Sequence, residues 1–448
     1  MSTIYIGNNN ISSLYDDIKI GFEANGHEVI TGTKFPTSSI VSKSDFDIHD
    51  ILLQRMKIFE KKFPHVPLEV KQQYEHEQYE QLLNILLAKA CSADICIFIW
   101  ESFLPMWEDL DLLRKKNIKT CAWFVGSEAR VPSIENYFRS MAGLEPCAKA
   151  IYPMHTCLQF IRKAEKYADL ILGATWAGLR PSYAKVISIF NTTNISHFIN
   201  RDRKTPIILH APSDKLTKGS DIWINIFNEL KSEGLDFKVR YIENVKHKDF
   251  LESLKNVDIV CDGIFHSGKL TYEAMAGGCA VLNANGTNRN FVYNFFLKSD
   301  DFLKQKYKID ESSKYYSIIE QQRRKKYWQY IDETNPCIPI DIKTAKESLK
   351  KLIQNKNYRL SLQERGRATI EKFCSPKEIT AEILYALEHP YNIKTQASLH
   401  FHHSLLYSDY IPQLNGEAEL INETTQIVKN CTWYKLFRKN VTRNNLIF

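Results

Sequence analysis

A short polar loop carries two lysines between an apolar run and a helix-like run. The segment HAPSDKLTKGSDIWINIFNEL begins at His210 and places Ser213, Lys215 and Lys218 before Gly219. Lysines on such a loop can hold a diphosphate, because their charge adds to the free amides and partial positive charge at a helix N-terminus. The loop therefore predicts a phosphate site, although two solvated surface lysines fit the same spacing.

A second segment, DIVCDGIFHSGKLTYEAMAGGCAVL, spans residues 258–282 and again joins an apolar strand to a helix. Gly268 permits a tight turn after the strand. The helix then opens with three residues whose backbone amides can bind an anion: Lys269, Leu270 and Thr271. We expect this helix start to bind an anionic leaving group beside Lys218.

Two further polar residues lie within these segments. Glu273 follows the helix start and is placed to accept hydrogen bonds from ribose hydroxyls. A carboxylate that is favoured only by the helix dipole is the alternative. His210 ends the strand before the lysine loop, where it either contacts the ligand or bonds to the backbone.

Repeated strand–helix units must position these residues. In the first half, short apolar runs such as Ile95–Trp100 and Thr120–Val125 alternate with helix-period segments, which is the pattern of a parallel, doubly wound sheet. The pattern restarts at Ile207, after the polar run NRDRK. We therefore predict an α/β protein with two doubly wound, Rossmann-like domains facing an interdomain cleft. In such folds, ligands bind at the carboxyl ends of the strands.

Breaks in this pattern predict the domain boundaries. An N-terminal domain covers residues 1–199 and includes a polar, irregular stretch at 33–65. A C-terminal domain covers residues 205–388, with an inserted segment near 300–335. A C-terminal extension covers residues 390–448.

The overall composition argues against several classes of protein. The 448 residues carry a net charge of +7, which is weak for a dedicated nucleic-acid binder, so no nucleic-acid partner is predicted. No run approaches the roughly 18 apolar residues of a membrane span. The 10 cysteines include no C-x-x-C pair, and the N-terminus has no signal-peptide pattern. These features predict a reducing, cytoplasmic location.

Neither a metal nor a cofactor is predicted. No His, Cys or Asp cluster has metal-ligand spacing. Asp109 and Asp111 have the spacing of a D-x-D metal motif, but they fall in a helix-period segment and are expected on a solvated face. No Walker A sequence occurs, and no G-x-G-x-x-G follows a strand, which leaves NTPase and dehydrogenase functions without support.

Residues 206–388 resemble the C-terminal domain of the GT4-type retaining glycosyltransferases of the GT-B fold. The matching features are the HAPS…KG loop, the strand DIV, the pattern G-x-x-x-x-E-A-M-A-x-G-x-A-V-L and the run RGRATIEKF at Arg365. The resemblance implies that Lys218 binds the phosphate of a nucleotide-sugar donor, Glu273 its ribose and the Gly268 loop its diphosphate. It also implies that the anomeric configuration is retained.

The N-terminal half resembles this family only loosely. The segment FVGSEAR is similar to the family's F-H-G-S-D-x-R loop, which implies a ligand contact for Gly126 and Arg130. Two positions depart from the pattern: Val125 replaces a histidine, and Phe265 replaces the first glutamate of an E-x7-E pair. Both missing groups help hold the transferred sugar in the family, and Asp262 is a candidate substitute.

Basic residues interleaved with aromatic ones occur in two places. The final run CTWYKLFRKNVTRNNLIF has four basic residues and no acidic one, and the run RRKKYW begins at Arg323. This composition suits a lipid interface. Peripheral contact with the inner face of a membrane is one interpretation, and a solvated helix face is the other.

Together these features predict a metal-independent glycosyltransferase. The expected donor is a UDP- or GDP-sugar, and the acceptor is a glycan, a lipid-linked sugar or a protein, as in the synthesis of bacterial surface polysaccharides or glycoconjugates. Two alternatives stay open. One is a non-catalytic protein of this fold that binds a nucleotide or glycan, and the other is a second kind of enzyme on the fold, such as a nucleotide-sugar epimerase.

Overall fold

The computed structural model describes most of both predicted domains. The described residues are 1–11, 13–35, 41–104, 107, 109–125, 164, 167–173, 186–188, 203–264, 268–284, 330 and 333–388. Gly126, Arg130, Phe265, most of the segment 300–335 and the extension 390–448 lie outside them.

The N-terminal part forms a parallel sheet. Its seven described strands run in the order β3-β2-β1-β4-β5-β6-β7. They are β1 (Thr3–Gly7), β2 (Glu28–Thr33), β3 (Phe46–Asp47), β4 (Ile95–Ile99), β5 (Lys119–Phe124), β6 (Leu170–Gly173) and β7 (Val186–Ser188). The helices described here are α1 (Leu14–Ala24), α2 (Ile48–Lys62), α3 (Leu68–Cys91) and α4 (Leu110–Lys115).

The strand β4 shows why this sheet is covered on both faces. All five of its residues, ICIFI, are buried. Ile97 packs into one apolar cluster and its neighbour Phe98 into another. Because successive side chains of a strand point to opposite faces, the sheet must have a core on each side. This confirms the doubly wound arrangement that the continuous apolar runs predict.

Two local predictions for the N-terminal part are wrong. The stretch 33–65 is not irregular, because α2 fills its second half and buries Ile48, Leu52 and Met56 at intervals of four residues. Asp109 does not lie on a solvated face. It is buried, accepts a hydrogen bond from the Phe103 amide at 2.9 Å and pairs with the Ser102 hydroxyl, so it fixes the turn that precedes α4.

The C-terminal part forms a second parallel sheet. Its five described strands run in the order β12-β11-β10-β8-β9. They are β8 (Ile207–His210), β9 (Lys238–Tyr241), β10 (Ile259–Cys261), β11 (Ala280–Ala284) and β12 (Ile338–Ile340). The helices described here are α5 (Lys215–Lys218), α6 (Ser220–Ser232), α7 (His247–Leu254), α8 (Lys269–Ala276), α9 (Ala345–Gln354), α10 (Lys356–Phe373) and α11 (Pro376–Glu388).

The last described helix returns to the first sheet. Helix α11 packs against α1 over many residues. Asn25 donates from its amide to the Lys377 carbonyl and to Thr380 Oγ1, both at 2.9 Å. Gly21 allows this close approach, because a Cβ on it would overlap the carbonyl of Pro376. The two sheets are therefore joined by a helix pair as well as by the chain between β7 and β8.

Candidate functional site

An ion pair joins the loops that follow β8 and β10. These strands are neighbours in a parallel sheet, so their carboxyl ends lie side by side. Lys218, at the end of α5, brings its Nζ to 2.7 Å from Oδ1 of Asp262, the first residue after β10. The side chains are 7% and 0% exposed. Two residues that the sequence predicts separately thus form one buried pair.

Among the described residues, the carboxylate of Asp262 accepts four hydrogen bonds. Besides Lys218, its donors are the backbone amides of Gly263 at 2.7 Å and Gly268 at 3.1 Å, and Thr271 Oγ1 at 2.6 Å. Burial alone would raise the pKa of Asp262, but Lys218 and these hydrogen bonds hold the pKa below its ordinary value. The carboxylate is therefore charged, and it fixes both the lysine and the start of α8.

Gly268 lies directly against the tip of Lys218. A Cβ built on this glycine would be 3.1 Å from Lys218 Nζ. The residues that follow open α8, as predicted, and Leu270 packs partly against the apolar core. The Thr271 amide donates to the Gly268 carbonyl at 3.2 Å, so one of the three predicted anion-binding amides already has a partner in the turn.

The two other polar residues predicted in the loop after β8, Ser213 and Lys215, lie at the protein surface. Ser213 is exposed, and the exposed Lys215 pairs with Glu243 at 3.1 Å, beyond the end of β9. Tyr241 donates to the same Glu243 carboxylate at 2.6 Å. Gly219 has a φ of 67°, the left-handed region that glycine adopts readily, and lets the chain turn from α5 into α6. Lys218 alone of the two predicted lysines reaches the turn at Gly268.

His210 is buried at the end of β8, with both ring nitrogens bonded inside the protein. Nδ1 lies 2.7 Å from the Cys261 carbonyl oxygen, and Nε2 lies 2.9 Å from Ser220 Oγ. Because a carbonyl can only accept, Nδ1 carries the proton and donates to it. Burial lowers the pKa of His210, so the ring is neutral near pH 7. The histidine links β8, β10 and α6.

A second ionic cluster surrounds Glu273 and extends across the two sheets. Glu273 is buried on α8, and its Oε1 lies 2.7 Å from Nε2 of His247, the first residue of α7. Lys269 Nζ lies 3.4 Å from the same oxygen and 2.7 Å from Oδ2 of Asp17, on α1. Burial would raise the pKa of Glu273, but Lys269 and His247 hold the pKa below its usual value.

Asp17 and His247 belong to this cluster although no pattern in the sequence points to them. Neither belongs to a motif, and each lies outside the two segments that carry the predicted site residues. Val125, at the position where the resembled family has histidine, is partly buried against the apolar core.

In the described part of the chain, no group of three or more His, Cys, Asp or Glu is placed to hold a metal ion. No helix there has the length and apolarity that a bilayer crossing needs.

Comparison with solved structures identifies the architecture. A sucrose-phosphate synthase from Thermosynechococcus elongatus is similar to this chain with a TM-score of 0.51 and 11% identity, over 86% of this chain and 98% of that one. TarM is similar with a TM-score of 0.49 and 9% identity, over 87% and 99%. An alpha-glucosyltransferase solved with UDP-glucose and DNA containing an abasic site has a TM-score of 0.46 and 11% identity, over 87% and 100%.

These neighbours are glycosyltransferases of the GT-B fold, and the first of them confirms that fold for this chain. At 11% identity the likeness shows the fold alone. No protein-family model matches the sequence, and no protein of curated function matches it by sequence.

Proposed function

We propose that this protein transfers a sugar from a nucleoside diphosphate sugar to an acceptor. The observation that carries the proposal is the meeting of Lys218 with the turn at Gly268, where α8 begins. A buried cation and a helix start thus lie at the carboxyl ends of two neighbouring strands, which is where open α/β sheets bind ligands. Both groups favour an anion such as a diphosphate.

The diphosphate is the group on which negative charge develops. Breaking the anomeric C–O bond leaves positive charge on the sugar and negative charge on the leaving diphosphate. Lys218 is held by Asp262 before any ligand arrives, so it stabilises that charge without first being ordered. An ammonium has three N–H donors, and a bond to Asp262 uses one of them. Asp262, which is fully buried, acts through Lys218 rather than by touching the sugar.

The other roles follow the GT4 resemblance and extend the proposal. The carboxylate of Glu273 accepts hydrogen bonds from the donor's ribose. Gly126 and Arg130 contact the donor, and the acceptor approaches from the N-terminal side and attacks the face from which the diphosphate leaves. A new C–O bond then forms as the old one breaks, the acceptor's proton passes to the leaving phosphate, and the configuration is retained. Since Lys218 supplies the cation, no metal is required.

The donor is proposed to be a UDP- or GDP-sugar. The acceptor is proposed to be a glycan, a lipid-linked sugar or a protein, in the assembly of a bacterial surface polysaccharide or glycoconjugate. Contact with the inner face of a membrane is proposed for the final run, residues 431–448, on its basic and aromatic composition.

Two observations favour a second candidate, a protein that binds a nucleotide without transferring a sugar. Asp262 balances the charge of Lys218, and Val125 replaces the histidine that would help hold the sugar. Such a protein would keep nucleotide affinity and show no turnover.

Donor turnover tests the proposal. The purified full chain is incubated with UDP-, GDP-, ADP- and CMP-sugars, with and without EDTA, and free nucleotide and sugar products are measured. We expect EDTA-resistant release of nucleotide from one donor, lost in Lys218→Met and kept in Lys231→Met, whose lysine is exposed on α6. Tight nucleotide binding without release, in the presence of a glycan acceptor panel, would favour the binding protein. Release of an epimerised sugar would instead show an epimerase.

A further inference from the structure

Lys269 is shared between the two sheets. Its Nζ lies 2.7 Å from Asp17 on α1 of the N-terminal part and 3.4 Å from Glu273 on its own helix. The three side chains are 8%, 9% and 5% exposed, so this contact between the domains is shielded from water. An ion pair shielded in this way interacts more strongly than a surface pair.

The two distances from Lys269 are unequal in a way that matters for Glu273. Lys269 forms its closer ion pair with Asp17, at 2.7 Å, and the Glu273 oxygen is 3.4 Å away. Since the attraction between two charges falls with distance, Asp17 attracts the ammonium more strongly than Glu273 does. Glu273 Oε1 is already bonded to His247. Asp17 therefore draws the ammonium away from a carboxylate that it would otherwise occupy.

The position of Asp17 is set by packing between the domains. Asp17, Gly21 and Asn25 recur at intervals of four residues and lie on one face of α1. On that face, Gly21 closely approaches Pro376 and Asn25 bonds to Lys377, while Asp17 reaches Lys269. Helix α1 thus contacts both α11 and α8, and its carboxylate is held in place relative to the candidate ribose site.

We infer that Asp17 is a positioning residue of the donor site: by pairing with Lys269, it limits how closely that ammonium engages the Glu273 carboxylate, to which the proposed function assigns the donor's ribose. The inference rests on the proposed function, which places the ribose at Glu273. If Asp17 loses its charge, Lys269 moves onto Glu273, and ribose hydroxyls must then compete with an ammonium. The ribose contribution to affinity falls, whereas the diphosphate contacts at Lys218 are unchanged.

Calorimetric titration with nucleotides measures what the ribose hydroxyls contribute to affinity separately from what the diphosphate contributes. For UDP or GDP, whichever the wild-type chain binds, affinity is compared with that of its 2′,3′-dideoxy analogue. We expect wild type to prefer the ribonucleotide by about tenfold or more, as hydrogen bonds to a charged group warrant. Asp17→Asn narrows this preference to about twofold. Asp16→Asn, which removes the same charge from an exposed position on α1, leaves the preference as in wild type.

A double variant distinguishes positioning from damage to the fold. Asp17→Asn/Lys269→Met removes the competing ammonium, so we expect it to recover most of the ribose preference that Asp17→Asn loses. If Asp17→Asn does not fold, Asp17→Ser takes its place, because it also removes the carboxylate charge and has a smaller side chain. An unchanged preference in the folded single variant, or a double variant no better than the single one, overturns the inference. If wild type binds no nucleoside diphosphate, the proposed function itself fails.

Discussion

Lys218 Nζ lies 2.7 Å from Asp262 Oδ1, and this pair joins the loops that follow β8 and β10. Asp262 also accepts from the Gly268 amide and the Thr271 hydroxyl, so one carboxylate orders the lysine and the first turn of α8 together. The candidate phosphate site is therefore ordered by the Asp262 carboxylate, which is itself too buried to touch a ligand.

Removing the lysine should destabilise the fold as well as the site. Lys218→Met leaves the Asp262 carboxylate buried without its cation, and we expect a loss of about 3 kcal/mol in the free energy of unfolding. Lys231→Met, at an exposed position, should change it by less than about 0.5 kcal/mol. Urea denaturation followed by circular dichroism measures both.

The same pair can be tested for coupling. The double variant Lys218→Met/Asp262→Asn should cost less than the sum of its two single variants, by at least about 1 kcal/mol, because neither partner is then left charged and alone. Strictly additive costs would mean that the two side chains are not paired in solution.

The buried histidine predicts a pH dependence of stability. Burial lowers the pKa of His210 in the folded state, so the unfolded chain, with a histidine pKa of about 6.5, takes up the proton more readily. The wild-type chain should therefore lose stability relative to His210→Gln as the pH falls from 7 to 5. His65→Gln, at an exposed position, is the matched control. A difference in the free energy of unfolding between wild type and His210→Gln that stays constant across this pH range would contradict the neutral state assigned to the His210 ring.

The contact between α1 and α11 leaves no room for a side chain at Gly21. A Cβ at Gly21 would overlap the Pro376 carbonyl, which is backbone and cannot turn aside. Although alanine favours a helix by up to about 1 kcal/mol over glycine, we expect Gly21→Ala to lower the free energy of unfolding by about 1–3 kcal/mol. Ile20→Ala, on the exposed side of α1, is the matched control. Stabilisation by Gly21→Ala would show that the helices are further apart than described.

A small change at Gly268 should affect binding more than folding. The backbone φ of −123° suits any residue, but a Cβ would be 3.1 Å from Lys218 Nζ and push the flexible lysine tip aside. We expect Gly268→Ala to stay within about 1 kcal/mol of wild type in stability and to bind a nucleoside diphosphate several-fold less tightly. Gly277→Ala, where the nearest atoms are 3.4 Å away, should bind as wild type does. Equal affinity for the two variants would argue against a ligand at Gly268.

The sequence predicts the sheets well because central strands such as β4 are continuous apolar runs. The strand β4 begins at Ile95 and β8 at Ile207, as the pattern predicts. The rule that ligands bind at strand ends brings Lys218 and Gly268 to the same edge. The sequence does not predict α2, although Ile48, Leu52 and Met56 have helical spacing, because the polar residues around them dominate that stretch.

Contacts between distant parts of the chain could not be predicted in this way. Asp17 and His247 meet Lys269 and Glu273 only because three helices from two sheets converge there. Asp109 and Asp111 have the spacing of a metal motif, yet the Asp109 carboxylate accepts a hydrogen bond from the Ser102 hydroxyl. Periodicity reports which face of an element is buried, and it carries no information on which charged residues that burial will pair.

The central claim is that the ends of β8 and β10 hold a diphosphate, and calorimetry tests it most directly. The wild-type chain, Lys218→Met and Lys231→Met are each titrated with UDP and uridine, and with GDP and guanosine. We expect wild type and Lys231→Met to bind one diphosphate at least about tenfold more tightly than its nucleoside, and folded Lys218→Met to lose most of that preference. Equal affinity of the wild-type chain for nucleoside and diphosphate, or an undiminished preference in Lys218→Met, would contradict the account.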